Sequence, residues 1–240
     1  MWNKIQRIYI GTNLVRPSGW KPWANTVAYI PLKEDLLDHW PNQYALTNSW
    51  SWVTIVNDKA NIWVWYFNGG ARLLNTSISS WLPLWATAKT LSCYVRFNSI
   101  GSTQSQNIVW FWRWWWGTDS ANKSFFLYRD SSQKLAFSTW WSGNDHTSTV
   151  TTVADTWYNI IATYDGTNYK VYVNWVLNIS GTITPNTDGT TIVIGWTSDS
   201  RSWYENYVTW YISEVIIENQ SWTADQITAY YNQTKWNYGL

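Results

Sequence analysis

The sequence predicts an all-β chain, an antiparallel β-sandwich closed by one short C-terminal helix. Three observations predict it. Apolar and polar residues alternate with a period of two along most of the chain. Only the final segment shifts to a helical period. The composition is rich in Ser, Thr and Asn, with 24 Trp and 16 Tyr and only 13% charged residues, which suits the surfaces of pleated sheets.

The elements follow in order. IQRIYIGTNLV is a strand-like stretch cut off from the rest by Pro17, Gly19 and Pro22. Residues 1–25 are therefore expected to form an arm or linker, and residues 26–240 the domain. In LSCYVRFNS, Leu91, Cys93, Val95 and Phe97 fall on one face, and Ser92, Arg96 and Asn98 on the other. KSFFLYRD and KLAFSTW read as two strands about a polar turn. WYNIIATYDGTNYKVYVNW reads as a hairpin closed by Asp165-Gly166. TIVIG (191–195) and WYISEVIIEN (210–219) supply two more strands. In SWTADQITAYYNQTK, Thr223 and Gln226 have capping-box spacing ahead of a stripe of Ile227, Tyr230 and Tyr231.

Composition also excludes. A formal net charge of +1, with no long Lys/Arg run, gives nothing to track a nucleic acid. A lone cysteine, Cys93, forms no internal disulfide, and His39 and His146 leave little for imidazole metal chemistry. No apolar window is long enough for a transmembrane helix, and the N-terminus lacks the pattern of a signal peptide.

The tryptophans are oddly placed. VWFWRWWWGTD (109–119) carries five of them, and Asn174-Trp175 fills a two-residue turn where Asn-Gly is the norm. Gly195-Trp196, Ser202-Trp203 and Asp38-His39-Trp40-Pro41 are turn compositions interrupted by tryptophan. Read as glycine, each stretch becomes ordinary. The expectation is a source, bacterial or phage, in which UGA encodes glycine. It covers Trp20, Trp23, Trp40, Trp50, Trp52, Trp63, Trp65, Trp85, Trp110, Trp112, Trp114, Trp115, Trp116, Trp141, Trp175, Trp196, Trp203, Trp210 and Trp236. Trp140, Trp157 and Trp222 read as authentic. The 109–119 cluster is then a glycine-rich loop rather than an aromatic platform.

With glycine at those positions, residues 26–240 resemble the laminin-G-like, concanavalin A-like jelly-roll family. The resemblance lies in an ordered set: NTVAYIPLKEDLLDHWPNQYALT, WYFNGGARL, TLSCYVRF, DTWYNIIATYDGTNYKVYVNW and WYISEVIIENQSWTADQITAYYN. It implies two packed antiparallel sheets and a carbohydrate- or protein-binding role, at an extracellular, cell-surface or virion location. It also implies a structural calcium near the opening turn. Asp38 matches the first acid of that site; at the second, Ser213 stands where aspartate is usual, leaving Glu214 as the nearest acid. Calcium takes about six to eight oxygen ligands, so the expected site is weak, and Asp38 reads equally as a turn residue.

Catalysis is not expected. Sandwich glycosidases set two carboxylates roughly 5–9.5 Å apart across a cleft. The glutamates here are Glu34, Glu205, Glu214 and Glu218, without clustered spacing. Glu214 and Glu218 share a strand face and read as solvated strand carboxylates.

Strand alternation gathers loops 113–123, 141–146, 165–168 and 184–189 at one end of the sandwich. Loops 99–106, 130–133, 154–156 and 196–208 gather at the other. The second end offers Asp199, Arg201, Tyr204 and Asn206. The first offers Arg113, Asp119, Asn122, Asn144, Asp145 and His146, planar polar groups that suit sugar hydroxyls. It is preferred because its glycine-like 113–123 loop can shape itself to a ligand. The candidate ligand-binding residues are Arg113, Asp119, Asn144, Asp145 and His146, although His146 reads better as a loop cap than as a metal ligand. The expected function is a non-catalytic, lectin-like domain of a surface, secreted or phage-tail-like protein whose partner is a glycan or cell-surface protein. A structural or protein-interaction domain without sugar binding is the alternative.

Overall fold

A computed structural model describes residues 8–10, 13–15, 26–30, 47–48, 53–57, 63–68, 73–75, 82–98, 105–112, 122–139, 145–188, 191–196 and 209–240. The strand-like N-terminal stretch forms a hairpin of β1 (Ile8–Ile10) and β2 (Asn13–Val15), a two-stranded sheet by itself. The other strands are β3 (Thr26–Ile30), β4 (Thr47–Asn48), β5 (Val53–Asn57), β6 (Trp63–Asn68), β7 (Leu73–Asn75) and β8 (Lys89–Phe97). After them come β9 (Gln106–Trp112), β10 (Phe125–Arg129), β11 (Lys134–Ser138), β12 (Asp145–Thr151) and β13 (Trp157–Tyr164). Last are β14 (Asn168–Val173), β15 (Val176–Thr182), β16 (Thr191–Trp196) and β17 (Thr209–Glu218), then helix α1 (Ala224–Thr234).

They build two antiparallel sheets. One runs β12-β11-β10-β9-β16-β7-β4 and the other β15-β14-β13-β8-β17-β6-β5. β17 is shared lengthwise: its first half pairs with β6 and its second half with β3, both on the side away from β8. Alternate side chains of the facing strands fill the space between the sheets. Leu91, Cys93, Val95 and Phe97 of β8 meet Ile160 and Ala162 of β13, Phe125 and Leu127 of β10, and Ile192 and Ile194 of β16. The period-two reading of LSCYVRFNS named the right core face.

The expected turn is present. Gly166 has φ +105, which only glycine adopts freely, and the Asp165 carboxylate accepts the backbone N–H groups of Thr167 and Asn168 at 2.9 and 2.7 Å. The capping box is also formed: Thr223 Oγ1 accepts from Gln226 N, and Gln226 Oε1 accepts from Thr223 N.

The helix side of the larger sheet departs from expectation. Tyr94, Trp157, Ile161 and Ile216 are covered by Trp222, Ile227, Tyr230 and Tyr238, with Tyr94 stacked on Tyr238 at 3.8 Å. β8 is therefore buried on both faces, Ser92 and Arg96 included. Glu214 and Glu218, read from sequence as solvated, are 1% and 0% exposed. The cause is an irregularity in β17, where the register with β8 shifts between Ser213 and Ile216 and Glu214 takes φ 54. Such a bulge re-aims side chains. Ile212 and Val215 both reach the inter-sheet core, while Ser213 and Glu214 meet Tyr238 and Tyr29.

Candidate functional site

The predicted clustering of loops at one end of the sandwich holds among the described residues. Asn186 N donates to Asn122 O at 2.7 Å, and Thr139 Oγ1 donates to Asn122 Oδ1 at 3.0 Å. Ser138, beside Thr139, lies opposite Asp145 in the register of β11 and β12. His146 follows, its Nδ1 hydrogen-bonded to the Tyr169 hydroxyl at 2.9 Å. Tyr169 leaves the Asp165–Asn168 turn, whose Thr167 O accepts from Ile183 N at 3.2 Å. The 183–188 segment then returns to Asn122. These contacts close a circuit of polar groups around the rim.

The opposite end gathers as expected too: Thr152 N donates to Gln133 O at 2.8 Å, and Asp155 N to Phe97 O at 2.8 Å.

Three charged groups at the first end escaped the sequence reading. Lys123 and Asp188 form an ion pair of 3.0 Å. Deeper, Lys89 is fully buried; its Nζ donates to Trp85 O at 2.7 Å and to Thr187 Oγ1 at 2.9 Å. Burial with no carboxylate among these partners pulls its ammonium down to about 7. The signal was present in the sequence: Lys89 continues the inward parity of Leu91, Cys93, Val95 and Phe97. Lys89 and Thr187 tie the segment before β8 to the 183–188 segment, and so brace the rim from below.

The candidate residues divide. Arg113, Asp119, Asn144 and Asp38 lie outside the described residues. Asp145 is exposed at the start of β12 and interacts with the Tyr128 hydroxyl. Tyr128 lies on the sheet face away from the core, in a row with Phe126 and Trp110. Burial, and then the Asp145 charge, push that phenol far above its usual range. His146 turns inward. Its ring stacks on Tyr169 at 4.3 Å and on Phe137 at 6.1 Å, and both partners belong to the core. Its Nε2 is buried without a partner among the described residues. Desolvation therefore lowers its pKa, with the Asp145 charge opposing. As placed, it joins β12 to β14 and leaves Asp145 as the outward group.

Glu214 sits under the helix, accepting from the Tyr29 hydroxyl at 2.9 Å. Burial first, and the nearby Glu214 charge with it, raise the phenol pKa values of Tyr94, Tyr230 and Tyr238. No set of three or more metal-ligating side chains converges among the described residues. Calcium takes about six to eight oxygen ligands, and Asp38, the other acid of the expected site, lies outside the described residues. Glu218 is similarly engaged, accepting from Thr26 Oγ1 and from Gln220 Nε2. Among the described residues, no helix is long and apolar enough to cross a membrane.

Two antiparallel sheets packed face to face with a short closing helix define a jelly-roll sandwich. A sequence model of the concanavalin A-like lectin/glucanases superfamily matches residues 75–228, well over half of the 240-residue chain. The chain belongs to that superfamily. Among solved structures, it resembles the binding domain of Paraclostridial Mosquitocidal Protein 1 (TM-score 0.69, 12% identity, 87% of this chain and 52% of that one). It also resembles a botulinum neurotoxin type C structure described as dependent for cell entry on two ganglioside molecules (TM-score 0.66, 13% identity, 87% and 51%). A third likeness is to Trypanosoma rangeli sialidase bound to a difluoro-KDN compound (TM-score 0.65, 14% identity, 89% and 33%). The chain spans about half the length, or less, of these structures. No curated protein sequence matches it.

Proposed function

We propose that the chain is a non-catalytic carbohydrate-binding domain of a surface, secreted or phage-tail-like protein, and that it binds glycan at the end of the sandwich bearing Asp145. The observation that carries this reading is the closed polar rim running from Asn122 through Thr139, Asp145, Tyr169 and Thr167 to Asn186. Asp145, Thr167 and Asn186 expose a carboxylate, a hydroxyl and an amide along this rim. Such groups match the paired hydroxyls of a sugar, and a braced rim lowers the ordering cost of binding. Arg113, Asp119 and Asn144 are assigned to the same end by their place in the chain.

Two further observations support it. The carboxylates of Glu214 and Glu218 are buried and hydrogen-bonded, out of reach of a polysaccharide, which argues against an acid–base pair made from them. The ganglioside named for one structural neighbour is a glycolipid. A calcium ion held through Asp38 remains part of the proposal.

A second reading, a protein-interaction domain, draws on another neighbour, a botulinum neurotoxin binding domain in complex with rat synaptotagmin II. A glycan array with the purified chain, in calcium and again in chelator, separates the readings. Selective binding that Asp145→Ala weakens about tenfold supports the sugar site at this end. Binding lost in chelator adds Asp38 and its metal. Silence on the array in both conditions overturns the lectin reading and favours the protein partner.

A further inference from the structure

The geometry points to glycine as the native residue at positions 85 and 175, where this sequence carries tryptophan. Both lie in left-handed backbone, Trp85 at φ 56 and Trp175 at φ 66. A bulky residue is an outlier there, because its Cβ crowds the following carbonyl. Among the described residues, the remaining non-glycine positions with positive φ are Asn122, Gln133, Asp155, Asn174 and Glu214, none of them aromatic or β-branched.

In neither place can the backbone relax. Val173 pairs with Val176, so Asn174 and Trp175 form a two-residue hairpin loop. That loop requires φ > 0 at both positions and favours Asn-Gly. Asn174 is pinned in it: its N–H donates to Asn159 O, and its side-chain Oδ1 accepts from Asn159 N, both at 2.9 Å. At position 85 both main-chain groups are taken. The N–H donates to Thr187 O, while the carbonyl accepts from Lys89 Nζ at 2.7 Å and Thr187 Oγ1 at 3.1 Å. The surroundings over-determine a conformation that the side chain opposes.

The side chains gain little in return. Trp85 is 56% exposed and Trp175 45%. At position 175 the Asn174-Trp175 pair fills a turn whose ordinary composition is Asn-Gly. By contrast Trp157 and Trp222, which read as authentic, are buried against the helix and have no positive φ. A gene read with UGA as glycine accounts for both positions at once.

The surface changes accordingly. Trp175, Tyr231 and the 64%-exposed Trp236 gather around Lys235 as an aromatic patch. With glycine at 175 and 236 that patch is absent, and so is the exposed ring at 85. Recognition then falls to the polar rim.

The test has two arms. The codons at 85 and 175 are read in the source gene, and the peptides spanning these positions are weighed by mass spectrometry from the source cells. UGA codons with glycine masses are expected. Separately, Trp85→Gly and Trp175→Gly are compared with Trp157→Gly and Trp222→Gly by urea unfolding. Each of the first pair is expected to raise the folded-to-unfolded ratio by about threefold to tenfold, and each of the second to lower it steeply. UGG codons, tryptophan masses, or a stability loss at 85 and 175 like that at 157 and 222 would overturn the assignment.

Discussion

The Lys89 ammonium lies 2.9 Å from the Thr187 hydroxyl oxygen in the buried seam that joins β8 to the segment before β16. The cation has hydrogen bonds there but no counter-charge among these partners, and this predicts an unusual pH dependence. Burial brings the folded pKa down to about 7, against the usual 10.5. Between these values the unfolded chain binds the extra proton, so stability rises with pH across that window and is flat below it. Chemical denaturation at pH 7 and at pH 9 is expected to show a gain that Lys89→Met abolishes. An unchanged gain in the variant would place the effect elsewhere.

His146 makes a prediction of the same sign in a lower window. Burial holds its folded pKa below the usual 6.5. As the pH drops through 6.5 the unfolded chain protonates first, and stability declines until the folded pKa is passed. His146→Phe keeps the stack on Tyr169 and should flatten the melting temperature between pH 7 and pH 5 relative to the parent.

Asn178 predicts an edge effect. Its Oδ1 accepts both the N–H and the hydroxyl of Thr149 at 2.9 Å, linking the edge strands β12 and β15 of the two sheets. Asn178→Ala is expected to cost about 1 kcal/mol. It also frees a backbone donor on an unpaired edge, which invites pairing between copies. Light scattering across a concentration series should show self-association in the variant only.

Thr223 tests the covering helix. Thr223→Ala removes the hydroxyl that caps α1 and should lower stability by ~1 kcal/mol. The urea midpoint is expected to shift with its slope unchanged, since Trp222, Ile227 and Tyr230 still hold the helix to the sheet. A changed slope would mean that the helix had detached.

Much of the fold is written locally. The Asp165-Gly166 turn, the Thr223–Gln226 capping box and the inward parity of Leu91 to Phe97 depend on residues within a few positions of one another. All three appear in the structure. The gathering of loops at two ends was legible too, because antiparallel strands alternate direction. The site was legible only in part. Parity extended by one step would have found Lys89, whereas no local signal marks the Lys123–Asp188 pair, whose members meet through distant turns.

The sequence by itself determined which side chains share a face and where the turns fall, the Asn174-Trp175 loop included. Only the tertiary structure decided what covers each face. Tyr94 is buried because the C-terminal segment returns from the far end of the chain to lie across β8, with Thr234 on its hydroxyl and Tyr238 on its ring. Glu214 is buried because the β17 irregularity turns it toward Tyr29. Periodicity is a property of a few neighbouring residues. Burial depends on contacts across more than a hundred positions, as between Tyr94 and Thr234, and no window along the chain contains them.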